Sequence, residues 1–147
     1  MLQLNYILNN AGWAILEINN GEKTLKFNIS YLHYSLKNLA ESAIDLKNCR
    51  EKLVIFMDEP GETWLILKKQ ENNTIEYELR WYEDWASWNL INEEKYQLAM
   101  MGTITLPKYI NEVRRNLIKI YEEIGVEKYK EKWIEHEFPL AEYQKLN

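Results

Sequence analysis

A chain of 147 residues, 46% hydrophobic and 28% charged, has the size and composition of one globular domain that buries its own core without staples. Its net charge of −5 argues against nucleic-acid binding, which needs basic surface, and no apolar run approaches the ~20 residues that span a bilayer. The lone cysteine, Cys49, permits no internal disulfide and fits a reducing compartment; the opening Met1-Leu2-Gln3-Leu4-Asn5 lacks the positive segment of a secretory leader, so a cytoplasmic protein is expected.

The first clear element is the strand Gly12-Trp13-Ala14-Ile15-Leu16-Glu17-Ile18. Asn20-Gly21 then offers the positive φ angles of a tight type I′ hairpin turn. Beyond it Leu25, Phe27 and Ile29 alternate with Lys26, Asn28 and Ser30, the pattern of a strand with one buried face. The period then changes. Leu32, Leu36, Leu39, Ala43 and Leu46 form a helical stripe ending near Asn48, with Ser30 as the expected N-cap.

Leu53-Val54-Ile55-Phe56-Met57 and Trp64-Leu65-Ile66-Leu67 read as two strands. Between them, Pro60 followed by Gly61 predicts a type II turn. Asn72-Asn73 makes another turn, after which Ile75, Tyr77, Leu79 and Trp81 alternate with Glu76, Glu78 and Arg80 in the cleanest strand of the chain. Residues 83–94 show no decisive period and fit a loop or a short helix. Residues 96–106, with Thr103, Ile104 and Thr105, fit a sixth strand.

Pro107 suits the first turn of a helix whose stripe is Ile110, Val113, Leu117, Tyr121 and Ile124, with Gly125 as its stop. A shorter helix carrying Tyr129 and Trp133 should run to about His136. Phe138-Pro139 ends it, and Leu140, Tyr143 and Leu146 mark a last turn. The expected fold is one α+β domain over residues 1–147, in the order ββαβββ(β)αα. It would be a two-layer antiparallel sheet of five or six strands with helices on one face. Leu36, Leu39, Ile55, Ile75, Tyr77, Leu79, Val113 and Leu117 should share its core.

Catalytic and metal chemistry find little support. His33 and His136 have no ligand spacing around them and read as surface residues. Cys49 has no CxxC or nearby histidine, no serine has a nearby base, and the glycines are too dispersed for a phosphate loop. No cofactor or metal is expected. Asp58, Glu59 and Glu62 crowd one turn and could serve as a carboxylate pair, but turn tips are solvated and lack the cleft that shifts a pKa.

Two features point to function instead. Residues 58–94 hold ten carboxylates against Lys68, Lys69 and Arg80, a net −7, whereas residues 105–147 are balanced. The same segment holds Trp64, Trp81, Trp85 and Trp88. Trp64 and Trp81 fit core positions. Trp85 and Trp88 fall in the irregular stretch among Glu83, Asp84, Glu93 and Glu94, where aromatic anchors in a charged rim describe a binding hot spot.

Several motifs, among them Gly12-Trp13-Ala14, Ser30-Tyr31-Leu32, Glu59-Pro60-Gly61-Glu62 before Trp64, and Tyr129…Trp133…Phe138-Pro139, resemble a family of small bacterial proteins of unknown function. In size and charge the chain is similar in character to immunity proteins of bacterial toxin systems. The resemblance implies a non-enzymatic protein-binding domain that sterically blocks a basic toxin domain. The resemblance carries over no functional residue; the acidic excess and the aromatic anchors offer Asp58, Glu59, Glu62, Glu83, Asp84, Trp85 and Trp88 as the surface. No nucleic acid or membrane is expected as a partner, and the oligomeric state is left open. The alternatives are a structural or assembly module, and a hydrolase using the acidic turn.

Overall fold

The computed structural model describes residues 1–134 and 136–146. Its elements are the strands β1 (Gln3–Leu8), β2 (Trp13–Asn19) and β3 (Thr24–Ser30), helix α1 (Ser35–Asp45), strands β4 (Glu51–Met57), β5 (Glu62–Lys69), β6 (Thr74–Tyr82) and β7 (Gln97–Thr105), and helices α2 (Leu106–Glu123), α3 (Val126–Trp133) and α4 (Leu140–Leu146). The protein is α+β, but its strands make two antiparallel sheets. One has the order β1-β2-β3 and the other β4-β5-β6-β7.

The single sheet expected from the strand pattern is thus corrected to three strands plus four. The break has a physical cause in α1. The Asn38 side chain lies along the free margin of β4, its amide donating to the Leu53 carbonyl (3.2 Å) and accepting from the Ile55 N–H (2.9 Å). It bridges two residues as a peptide group of a neighbouring strand would, so β3 has no margin to join. Asn116 of α2 does the same to β1, donating to the Leu4 carbonyl (2.8 Å) and accepting from the Tyr6 N–H (2.9 Å). Two helices therefore close two sheet edges, which would otherwise present unpaired backbone groups.

Both sheets and the helices share one core. Leu4, Leu16, Ile18 and Ile29 come from the small sheet, and Val54, Phe56, Leu65, Leu67, Ile75, Tyr77, Leu79, Met100 and Ile104 from the large one. Leu36 and Leu39 of α1, Val113 and Leu117 of α2, and Tyr129 and Trp133 of α3 complete it. Ile55 is a correction. It pairs with Trp64 across β4 and β5 and packs in a separate cluster, because Val54 and Phe56 take the inward positions of an alternating strand.

Local differences are instructive. β1 was not expected, although Leu2, Leu4 and Tyr6 are buried in alternation. The β2–β3 connection spans residues 20–23 rather than a two-residue type I′ turn. Only Gly21 there has positive φ, and the Asn20 side chain accepts from the Glu22 and Lys23 N–H groups. Ser30 does not cap α1; it ends β3, and its hydroxyl accepts from the Leu32 N–H at 3.3 Å. Helix α2 behaves as read: Thr105 accepts from the Lys108 N–H (3.4 Å), and Gly125, at φ +84°, donates to the Ile120 carbonyl (3.1 Å), closing the helix as a left-handed stop does. Helix α3 ends at Trp133, and Glu135 lies outside the described residues. Among the described residues, no helix is long and apolar enough to cross a membrane.

Candidate functional site

The site lies where the β4–β5 turn meets the loop after β6. Strand β4 runs out at Met57, and the Asp58 N–H donates to the Gly61 carbonyl (2.9 Å) to close the turn. The Glu59–Pro60 peptide is cis, which replaces the expected type II turn by one with proline in a different role. Gly61 sits at φ +102°, and a Cβ there would meet the Tyr82 carbonyl at 3.3 Å. Glycine is needed on both counts, because the turn presses directly on the chain leaving β6.

That chain folds back over the outer face of the large sheet. Residues 86–88 form a single 3₁₀ turn ended by Asn89 in the left-handed region. Trp85 donates its indole N–H to the Asp58 carbonyl (2.8 Å), which ties the loop to the hairpin turn. Trp88 meets Trp85 edge to face, centroids 4.6 Å apart. Ala86 is buried with Trp64, Ile66 and Tyr82, and Leu53, Ile55, Ile91 and Tyr96 pack around them. This second cluster sits on the sheet face opposite the main core.

Glu62 is a further correction. It was expected in the exposed acidic turn, yet it is 1% exposed. Its Oε1 accepts from the Trp64 indole N–H and from the Ser87 N–H (3.2 Å), and its Oε2 from the Ser87 hydroxyl (2.8 Å). A buried carboxylate is tolerable only when its lone pairs are filled. Here it pins the 83–94 loop to β5, and it offers nothing to a partner's surface.

The other six residues remain accessible. Glu59 and Glu83 are exposed, and Asp58, Asp84 and Trp85 are half-buried. Trp88 is 51% exposed and Leu90 58%. Burial raises the Asp58 carboxyl above its ordinary value, against the Glu59 N–H bond that favours the anion, and the Glu59 charge adds to the rise. With Glu93 and Glu94 also exposed, the loop and the turn tied to it carry exposed apolar and acidic side chains together. Leu90, exposed on that loop, and Ile91, which packs into the second cluster, are not singled out by the sequence reading; the signal is the apolar pair two residues after Trp88 in an otherwise polar loop.

The remaining tryptophans and histidines have structural places. Trp64 joins the second cluster rather than the main core, and Trp81 is half-buried at the end of β6. Neither histidine is a plain surface residue. His33 Nε2 lies 3.2 Å from the Asn38 side-chain oxygen, and His136 donates to the Tyr31 carbonyl (2.9 Å) while stacking on Tyr34. Cys49 is free and exposed. Among the described residues, no group of three or more His, Cys, Asp or Glu side chains could hold a metal ion. No family model, curated protein or solved structure matches the chain.

Proposed function

We propose that this chain is a protein-binding domain that neutralises a basic partner by covering it, in the manner of an immunity protein acting on a bacterial toxin domain. The observation that carries the reading is the loop tip: Trp88, half exposed and braced edge to face by Trp85, on a loop that follows Glu83 and Asp84 in the chain and is tied by the Trp85 indole to the turn of Asp58 and Glu59. An excess of carboxylates on the same loop and turn raises the encounter rate with a basic surface. An indole held by its neighbours loses little side-chain freedom on entering a pocket, which is what an anchor residue requires. The Glu62 bonds to Ser87 and Trp64 support the same reading, since they hold the loop in one shape before any partner arrives.

The test is capture and inhibition. The protein and its Trp88→Ala and Glu83→Lys/Asp84→Lys variants are used to capture partners from the source organism, and each retained protein is assayed for toxicity. The reading requires a partner whose contact surface is basic and whose activity falls when wild type is added in equal amount, but not when the variants are added. A partner held equally by all three proteins would refute it.

A further inference from the structure

At the neck of the loop, where β6 runs out and β7 begins, a cleft of about 270 Å³ is lined by Trp81, Glu83, Ile91, Lys95, Tyr96 and Gln97. Tyr96 already takes part in an arrangement completed within the chain. The Arg80 guanidinium lies over its ring, 4.3 Å from the centroid, and pairs with the Glu78 carboxylate at 3.0 Å. The cleft holds the same two kinds of host, an aromatic ring and a carboxylate close by in the chain, with no cation paired to them. Trp81 is half-buried and Glu83 exposed. Among the described residues, neither that indole nor that carboxylate makes a hydrogen bond, an ion pair or a ring contact.

We infer that this cleft is the specificity pocket of the loop surface and receives an arginine side chain of the basic partner, its guanidinium flat on the Trp81 indole and bonded to the Glu83 carboxylate. The inference rests on the reading of the loop as a protein-binding surface. Charge selects a cationic guest. Residues 83–97 hold four carboxylates and one cation, Lys95. That cation is exposed directly after Glu93 and Glu94, on a flexible stem that can swing into water, so the field in the cleft favours a positive group. Shape then selects arginine over lysine. A planar guanidinium stacks on an indole and still turns its edge N–H groups to a carboxylate, whereas an ammonium offers no flat face. An apolar guest would cover Glu83 without giving it a partner, at the cost of its desolvation.

Titration of the full chain with the peptide acetyl-Gly-Arg-Gly-amide, followed by NMR at the Trp81 indole N–H, tests the assignment. It needs no captured partner, so it can fail while capture of a toxin succeeds, and the reverse. The indole signal, identified by its loss in Trp81→Phe, should shift saturably. Peptides with glutamine or glutamate in place of arginine should leave it nearly unmoved, and the lysine peptide should bind more weakly than the arginine one. Glu83→Gln, at an exposed position, should weaken the arginine peptide about threefold or more. Lys95→Ala should tighten it, because it removes the competing cation. An indole signal that arginine does not move would overturn the assignment. So would an equal response to the glutamine peptide, or a Lys95→Ala variant that holds the arginine peptide more weakly than wild type.

Discussion

The large sheet has two faces made by the same four strands, and they are finished differently. On the inner face Val54, Phe56, Leu65, Leu67, Ile75, Tyr77 and Leu79 are almost wholly excluded from solvent beneath two helices and the small sheet. On the outer face Leu53, Ile55, Trp64, Ile66 and Tyr82 pack with Ala86, Ile91 and Tyr96 of the loop after β6, and that loop also carries half-exposed tryptophan and carboxylates. The contrast separates side chains that hold the fold from those that are held by it. Apolar area removed from water stabilises the inner face. The outer face spends part of its apolar surface on a rim that stays wet, as contact surfaces do.

The largest expected effect belongs to the inner face. Leu79→Ala removes a side chain that is 1% exposed and should lower unfolding free energy by about 2–5 kcal/mol through lost transfer and an unfilled cavity. A change within about ±0.5 kcal/mol in urea unfolding would mean that this face does not carry the fold. Next comes Asn116→Ala, which strips the Leu4 carbonyl and the Tyr6 N–H of a partner. It should cost about 1–3 kcal/mol and expose β1 as a pairing edge, visible as aggregation at concentrations where wild type stays clear.

A smaller change is expected where the outer face is fastened. Glu62→Ala leaves the Trp64 indole and the Ser87 hydroxyl without their acceptor. The loss should be about 1–2 kcal/mol, with increased solvent quenching of tryptophan fluorescence as the 83–94 loop detaches. Unchanged quenching would show that the loop is held by its apolar contacts alone.

His33 gives a pH-dependent version of the same comparison at the β4 margin. Burial lowers its pKa below 6.5, against a raising contribution from the Asn38 bond. The unfolded chain therefore takes up the proton first. The stability contribution is fully present above 6.5 and is lost as pH falls through the lowered folded value. Unfolding at pH ~7.5 and ~5.5 should show a decline on acidification that is reduced in His33→Gln. Equal declines would assign the effect to other groups.

Much of the inner face is legible from periodicity. The alternation of Ile75, Tyr77 and Leu79, and the α2 stripe with Val113 and Leu117, are local signals, and the structure buries these residues as read. What periodicity does not hold is which strand margin meets which neighbour. The division into two sheets depends on Asn38 and Asn116 reaching backbone 15 to 112 residues away in the chain, and nothing marks those asparagines as different from solvated ones. Ile55 went to the wrong face because Leu53-Val54-Ile55-Phe56-Met57 is apolar throughout and states no phase. Glu62 looked like its neighbours Asp58 and Glu59 until a loop 25 residues further on folded over it. The acidic loop itself was legible as composition. Its shape was not, since it is fixed by indole and carboxylate bonds to the hairpin rather than by any repeat.

The smallest expected effect on stability is also the sharpest test of the account. Trp88, unlike Leu79, is half exposed, and its replacement by alanine should move unfolding free energy by no more than about ±0.5 kcal/mol. Affinity for the captured partner, titrated for wild type and Trp88→Ala side by side, is the decisive measurement. A loss of about 2 kcal/mol or more, roughly thirtyfold in Kd, with the unfolding midpoint unmoved, is the predicted result. Equal affinity of the two proteins would contradict it and leave the outer face with no role beyond closing the sheet.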